Sequence, residues 1–170
     1  MLSSPSKRTV IIAGSNHQNM KLAETFKGEI DRMGGQATII DVVALDLPLY
    51  TPITEKKNRP AVLADIAKTC DEAGQFVVLT PEYNGGVAPA LTNLIAWLSR
   101  NESADFRQLF NGKSAAIGSA SGGGGMHALV SLRIQLSYLG LNVVGREIVV
   151  NSSKPLNVDS VAVVVKTLCQ

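Results

Sequence analysis

The chain has 170 residues, of which 45% are apolar and 18% are charged, and its formal net charge is +2. This length suits a single domain, residues 1–170, that buries its own hydrophobic core. Positive and negative charges are nearly balanced and form no blocks, so we expect neither nucleic acid nor a membrane surface as a partner.

Short apolar runs alternate along the chain with longer helical patterns, which is typical of a parallel sheet with crossover helices. Four of the runs are almost continuous in apolar or small residues, as expected for strands that helices cover on both faces. The five predicted strands are residues 9–14, 37–43, 75–80, 114–119 and 141–150.

Apolar residues at three- and four-residue spacing predict the intervening helices, and glycines follow two of them. The last helix is rich in valine and is assigned because a crossover fold needs a closing helix. The predicted helices are residues 20–33, 60–72, 89–99, 126–139 and 160–168. This succession indicates an α/β fold with a doubly wound, five-stranded parallel sheet in the flavodoxin-like order 2-1-3-4-5 and helices on both faces.

Residues 44–59 form an irregular insertion in this pattern, with Pro48, Pro52 and a polar end. The first part of the insertion is nevertheless too apolar for a loop that is fully exposed to solvent. It could cover a ligand or a partner subunit, or it could pack on its own domain.

Three polar, loop-forming segments follow predicted strands, at the edge of the sheet where ligands of open α/β folds bind. The first, residues 14–19, carries Ser15, His17 and Asn19 immediately before a helix. Hydroxyl and amide groups, together with the free N–H groups of a helix start, can surround a phosphate, and His17 could add positive charge. The same residues would also serve as an ordinary helix cap.

The second segment, residues 81–89, offers Tyr83 as an aromatic surface and paired glycines that let the backbone approach a flat ligand. The third, residues 119–125, ends in four consecutive glycines, which cost about 0.5–1 kcal/mol each in backbone entropy relative to alanine. An ordinary turn and a flexible linker are the alternative interpretations. Convergence of all three segments favours a flat, phosphate-bearing ligand.

Cysteine usage and the N-terminal residues bear on the cellular compartment. Cys70 and Cys169 stand alone, without a CxxC motif or a nearby histidine, so we expect free thiols and no metal site. The apolar run at residues 10–13 is too short for a secretory signal or a membrane span. We therefore expect a cytoplasmic protein.

Residues 81–100, PEYNGGVAPALTNLIAWLSR, closely resemble the signature of the NADPH-dependent FMN reductases, PEYN-x-S-x-P-x-x-L-K-N-x-I-D-W-x-S-R. That family includes soluble quinone, chromate and azo-dye reductases. The first loop resembles its phosphate loop, and residues 122–140 resemble its glycine loop with the following helix. The matching pieces extend from Thr9 to about Val150.

The resemblance implies a bound FMN, with NADPH or NADH as the electron donor. It implies that Ser15 and Asn19 hold the phosphate together with the backbone amides of the first loop, where His17 is a further candidate contact. It further implies that the second loop lines the isoalloxazine ring and the ribityl chain, and that the third loop meets the other edge of the ring. The residues concerned are Pro81, Glu82, Tyr83, Asn84 and Gly85 in the second loop, and Ser119, Gly122 and Gly123 in the third.

The resemblance also implies a homodimer or homotetramer, with Trp97, Ser99 and Arg100 near the subunit contacts. The chain departs from the family pattern at several positions. His17 stands where the family often has arginine, and the arginine that commonly follows the glycine loop is absent, leaving Met126 and His127. The usual serine, lysine and aspartate of the signature are replaced by Gly86, Thr92 and Ala96.

Together these features predict an FMN-dependent NAD(P)H oxidoreductase that reduces small acceptors such as quinones, free flavin, azo compounds or chromate-like oxyanions. A ping-pong hydride cycle on the flavin needs no catalytic acid, base or nucleophile from the protein, so we predict none. Two alternatives stay open. One is a flavodoxin-type electron carrier, against which an isoelectric point near 8.6 argues. The other is a flavin-free binding protein that retained the fold.

Overall fold

The structure, a computed structural model, describes residues 8–100 and 105–170. Strands and helices alternate as predicted, with short additional elements between them. In chain order the elements are β1 (Arg8–Ala13), α1 (Gln18–Arg32), β2 (Gln36–Asp41), α2 (Val42–Leu45), α3 (Pro52–Lys57), α4 (Val62–Glu72), β3 (Gln75–Leu79), β4 (Glu82–Tyr83), β5 (Gly86–Val87), α5 (Pro89–Leu98), β6 (Ser114–Ala120), α6 (Met126–Tyr138), β7 (Asn142–Val143), β8 (Ile148–Val150) and α7 (Val158–Leu168).

The main sheet is parallel and has the order β2-β1-β3-β6-β7, with β8 also paired to β6. Strands β7 and β8 pair with the start and the end of β6, so together they occupy the fifth position of the sheet. The predicted order 2-1-3-4-5 is therefore confirmed, although the predicted fifth strand is broken in two. Arg133 stabilises the segment between β7 and β8, because its guanidinium donates to the carbonyl oxygens of Val143 and Val144 and to the carboxylate of Glu147.

Helices cover both faces of the sheet, which explains why the strands are apolar on both sides. Alternate residues of β1 belong to different cores: Val10 and Ile12 lie in the core that includes side chains of α4, α5 and α6, whereas Ile11 and Ala13 lie in the core that includes side chains of α1 and α7. The helix predicted for the end of the chain is confirmed as α7. It begins at Val158, where the side chain of Asn157 accepts a hydrogen bond from the Ser160 N–H at 2.9 Å.

The predicted second strand ends too late, because Val42 and Val43 are helical. The carboxylate of Asp41 accepts hydrogen bonds from the N–H groups of Val43 and Ala44 at 3.0 and 3.1 Å, and this cap starts α2. A capping side chain thus overrides the β propensity of two valines.

The insertion after α2 packs on its own domain, which was one of the three interpretations left open. The indole Nε1 of Trp97 donates to the Pro48 carbonyl oxygen at 2.8 Å, and the Asn93 side chain accepts from the Tyr50 N–H at 2.7 Å. Tyr50 also meets Trp97 edge to face, with ring centroids 5.1 Å apart. Within the described ranges 8–100 and 105–170, every helix is too short or too polar to cross a bilayer.

Candidate functional site

The three loops predicted to bind a ligand leave the same edge of the sheet. They follow β1, β3 and β6, which are neighbours in the parallel sheet, so their carboxyl ends lie side by side. The first loop approaches β3 closely, since the Gly14 N–H donates to the Leu79 carbonyl oxygen at 2.7 Å. We call the edge formed by these loops the rim.

In the first loop, Ser15 is buried and His17 is exposed. His17 occupies the N-cap position of α1 with a positive φ of 62°, and its side chain makes no cap within the described residues. The N–H groups of the first helical turn therefore have no side-chain cap from that residue. An uncapped helix start next to a serine hydroxyl is suited to an anion such as a phosphate.

Asn19 was expected to hold the phosphate, but its side chain is turned inward and is only 1% exposed. Its amide nitrogen donates to Ser15 Oγ at 3.0 Å and to the Ala120 carbonyl oxygen at 2.8 Å. Its amide oxygen accepts from the Ala120 N–H at 3.0 Å. Because a carboxamide has two N–H donors and both are used inside the chain, the side chain of Asn19 joins the first loop to the third.

The second loop is a β-hairpin rather than an irregular turn. Strands β4 and β5 pair antiparallel, and both central residues, Asn84 and Gly85, have positive φ (53° and 75°). Positive φ at both central positions and an Asn-Gly pair are the features of a type I′ turn, so this pair was a usable signal in the sequence. The hairpin leaves Tyr83 exposed, whereas Pro81 is buried beneath it.

Thr80 closes the base of this hairpin, a role that sequence reasoning missed. Its buried hydroxyl accepts from the Ala88 N–H at 3.0 Å and donates to the Pro81 carbonyl oxygen at 2.8 Å. A threonine at the end of a strand gives no distinctive pattern, since β-branched residues are common throughout strands.

Glu82 points toward the third loop, and its side chain is only 13% exposed. Its Oε2 accepts hydrogen bonds from the N–H groups of His127 and Ala128, at 3.0 and 3.2 Å, in the first turn of α6. The Nδ1 atom of His127 lies 3.7 Å from the same oxygen. A carboxylate of the chain thus occupies the positive end of α6, which leaves the start of α1 as the better place for a bound phosphate.

The third loop is open along its glycines and closed at its ends. A Cβ atom added to Gly122 or Gly124 would have no described atom within 4 Å. At the far end, Gly125 has a φ of 73°, and a Cβ there would lie 2.8 Å from Ser119 Oγ. Ser119 is fully buried, and its hydroxyl has no hydrogen-bond partner among the described residues.

The cavities flank this arrangement. A cleft of about 420 Å³ lies beside the rim, and its lining includes Gln18 of α1, Ser121 and Gly122 of the third loop, and Asn151 after β8. A second cavity of about 570 Å³ lies between β8 and the start of α7, and none of the three loops lines it. The cleft next to the rim therefore joins the start of α1 to the third loop and to the segment after β8.

The order of the sheet and the position of the rim define a flavodoxin-like α/β protein. Residues 8–155 match the family described as NADPH-dependent FMN reductase. The chain belongs to this family, which confirms the predicted class, an oxidoreductase that uses FMN and NAD(P)H.

Among curated relatives, the quinone reductase of Escherichia coli is 34% identical over 104 residues, which cover 59% of this chain and 53% of that protein. The matched region thus spans about half the length of that relative. The NADPH azoreductase of a Bacillus species is 30% identical over 133 residues, 76% of this chain and 65% of that protein.

Among solved structures, the flavoenzyme NAD(P)H:(acceptor) oxidoreductase FerB from Paracoccus denitrificans has a TM-score of 0.78 at 17% identity. The superposition covers 95% of this chain and 94% of FerB. At this identity the likeness shows the fold alone.

Proposed function

We propose that residues 1–170 form a single cytoplasmic FMN-binding domain, which passes electrons from NADPH or NADH to small acceptors by a ping-pong cycle. Quinones, free flavin, azo compounds and chromate-like oxyanions are the proposed acceptors. The observation that carries the proposal is the rim, where three loops from neighbouring strands meet around exposed glycines beside an uncapped helix start. The names of two relatives, a quinone reductase and an NADPH azoreductase, support this acceptor class.

The residues present fit the phosphate of FMN. Ser15 and His17 stand at the start of α1, where the N–H groups of the first turn and the positive end of the helix would stabilise a phosphate. The start of α6 is already occupied by the Glu82 carboxylate. Ser15, His17 and the backbone of the first loop are therefore the proposed phosphate site, and Asn19 contributes through its backbone N–H.

The residues also fit a planar ring. Exposed Tyr83, Asn84 and Gly85 lie at the tip of the hairpin, and Gly122 and Gly123 lie in the third loop. Because Gly122 and Gly123 have no side chains, the backbone can approach a flat ring closely. Ser119 is covered by Gly125, so its proposed contribution is the support of the third loop.

Bound FMN would supply the capacity to accept and release a hydride. The chain's own task would be to hold the phosphate, to orient the ring between the second and third loops, and to leave one ring face open for donor and acceptor in turn. No side chain of this site is proposed to act as an acid, a base or a nucleophile.

We also propose that the protein is a homodimer or homotetramer that uses the face formed by α5 and α6. Four large apolar side chains are exposed along α6 at four-residue spacing: Met126, Val130, Ile134 and Tyr138. Two of them, Ile134 and Tyr138, line a groove of about 540 Å³ that Ser99 and Arg100 also line. Trp97, by contrast, is fully buried in its own chain, so its side chain is not available to a partner.

The proposed function is tested by the visible spectrum of the purified protein, by titration with FMN, and by anaerobic addition of NADPH or NADH. We expect bound flavin, its bleaching by a nicotinamide, and reduction of at least one acceptor faster than by free FMN. Bound flavin that no nicotinamide reduces would identify an electron carrier instead. Failure to take up FMN would support a flavin-free binding protein.

A matched pair of variants tests the place of the ring. Gly122→Leu and Gly145→Leu each add a side chain at an exposed glycine that has no described atom within 4 Å of its Cβ position. We expect Gly122→Leu to weaken FMN binding at least tenfold and Gly145→Leu to leave it unchanged, with similar thermal unfolding for both. Equal FMN affinity in the two variants would place the ring away from the third loop.

A further inference from the structure

Residues 121–125, the part of the third loop that follows β6, are held at both ends by side chains that come from the other two loops. Asn19 of the first segment holds the residue before them, and Glu82 of the second holds the helix after them. The family resemblance places both residues among the contacts to FMN. Their side chains, however, are directed into the chain.

At the start of the third loop, the side chain of Asn19 pairs with the backbone of Ala120 in the way that an adjacent β-strand would. Its carboxamide donates to the carbonyl oxygen of Ala120 and accepts from the N–H of the same residue. On the other side, β8 pairs with β6 as far as Ala120, and the Ser121 N–H donates to the Val150 carbonyl oxygen at 3.0 Å. The backbone at the point where the loop begins is therefore fixed from two sides.

At the end of the third loop, Glu82 supplies the cap that α6 lacks. The N-cap residue is Gly125, which has no side chain to cap the helix. The Glu82 carboxylate accepts from the second and third N–H groups of α6 instead, and it adds a negative charge at the positive end of the helix. These charge-assisted bonds are stronger than bonds between neutral groups.

Between the two ends, side-chain packing does not fix the loop. The three glycines at 122–124 have free space around them. A Cβ added to Gly122 or Gly124 would have no described atom within 4 Å, and a Cβ added to Gly123 would meet only Glu82 Oε1, at 3.9 Å. Glycine is the residue with the greatest backbone freedom. The course of the loop therefore depends on how its two ends are held.

We infer that Asn19 and Glu82 are positioning residues, which set the place of the third loop at the rim without contacting the ligand through their side chains. The consequence for FMN rests on the proposed function, whereas the bracing of the loop is a property of the chain alone. Removal of the Glu82 side chain frees the end of the loop, and removal of the Asn19 side chain leaves its start held by β8 alone. In both cases the rim must be ordered further when a ligand binds. Affinity for a ligand falls for that reason.

The test compares Glu82→Ala with Glu82→Gln and with a control, Glu24→Ala, which removes an exposed carboxylate on α1. Hydrogen exchange of the protein without FMN reports on the bracing. We expect the His127 and Ala128 amides to exchange at least tenfold faster in Glu82→Ala. In Glu82→Gln, whose amide oxygen can still accept from these N–H groups, the exchange stays close to that of the wild type.

Titration with FMN reports on the ligand. The dissociation constant for FMN should rise at least tenfold in Glu82→Ala. It should stay close to the wild-type value in Glu82→Gln and should be unchanged in Glu24→Ala. Asn19→Ala should raise it as well, with faster exchange of the Ala120 amide. Because Asn19 is buried, Asn19→Ala is informative only if the variant still unfolds cooperatively in urea. If it does not, the comparison of Glu82→Ala with Glu82→Gln tests the inference.

Two results would overturn the inference. One is wild-type exchange of the His127 and Ala128 amides in Glu82→Ala. The other is loss of FMN affinity in Glu82→Gln equal to that in Glu82→Ala with exchange unchanged, which would mean direct contact between the carboxylate and the ligand. If the wild type binds no FMN, the proposed function fails, and the exchange measurements alone decide whether the loop is braced.

Discussion

Replacement of Gly14 by alanine tests how closely the first loop must approach β3. The added Cβ would lie 2.7 Å from the Leu79 carbonyl oxygen and 3.3 Å from two carbon atoms of the Leu91 side chain. The distance of 2.7 Å is shorter than van der Waals contact, and the Leu79 oxygen belongs to the backbone of the central sheet, so it cannot move away by a change of side-chain rotamer. The loop must therefore move away from β3.

The cost can be worked from these contacts. Overpacking in a close-packed interior costs about 1–3 kcal/mol, and stretching the bond from the Gly14 N–H to Leu79 adds about 1 kcal/mol. The smaller entropy of the unfolded alanine chain returns about 0.4–1 kcal/mol. We expect a net loss of roughly 1–3.5 kcal/mol, which at about 2–4 °C per kcal/mol for a domain of this size lowers the melting temperature by roughly 2–14 °C.

The assay is urea or thermal unfolding of Gly14→Ala beside Gly28→Ala. Gly28 lies inside α1, and a Cβ there would meet no described atom within 4 Å. That variant should be more stable than the wild type by about 0.5–1 kcal/mol. If Gly14→Ala unfolds at the wild-type midpoint while Gly28→Ala gains stability, the approach of the loop to β3 is not a constraint and the reasoning is wrong. Movement of the loop should also weaken FMN binding, because Ser15 moves with it.

Three further predictions concern the subunit face and the thiols. Ile134, on α6, is 68% exposed, and Ile134→Glu should convert an oligomer to monomers as measured by light scattering. The control is Val163→Glu, at a side chain of α7 that is 48% exposed, which should leave the oligomer intact. Equal molecular masses for the two variants would show that α6 is not part of the interface. Burial raises the pKa of the Cys70 thiol to about 12, so at pH 8 iodoacetamide should label exposed Cys169 before Cys70, which should react only on unfolding. Because the unfolded thiol ionises near its ordinary value of 9.0, the free energy of unfolding should fall as pH rises from about 9 toward 12, and a flat profile in the wild type relative to Cys70→Ala would contradict this assignment.

The order of the sheet and the location of the rim could be predicted from the sequence, because both follow from short-range patterns. Continuous apolar runs require strands that are covered on both faces, and the alternation of strands with helices fixes parallel crossovers. The loops after β1, β3 and β6 must then meet at one edge. The sequence PEYN at residues 81–84 was specific enough to indicate the family that residues 8–155 match.

The roles of individual polar residues could not be predicted in the same way. Asn19 and Glu82 have the residue types expected of ligand contacts, and the signal for their inward orientation lies in residues that are 101 and 45 positions away. Thr80 and Ser119 likewise depend on Ala88 and Gly125, which fold back over them. A residue type indicates what a side chain can bond to, but only the three-dimensional arrangement decides which group it meets.

The sequence by itself therefore determined the fold, the family and the edge of the sheet where chemistry is expected, since each depends on periodicity or on a contiguous motif. The tertiary structure decided which polar groups remain available at that edge. Hydrogen bonds between loops that are distant in sequence consume the side chains of Asn19 and Glu82 and leave the start of α1 and the bare glycines for a ligand. Competition among buried donors and acceptors is a property of the folded chain, because each group must find its partner once water is excluded.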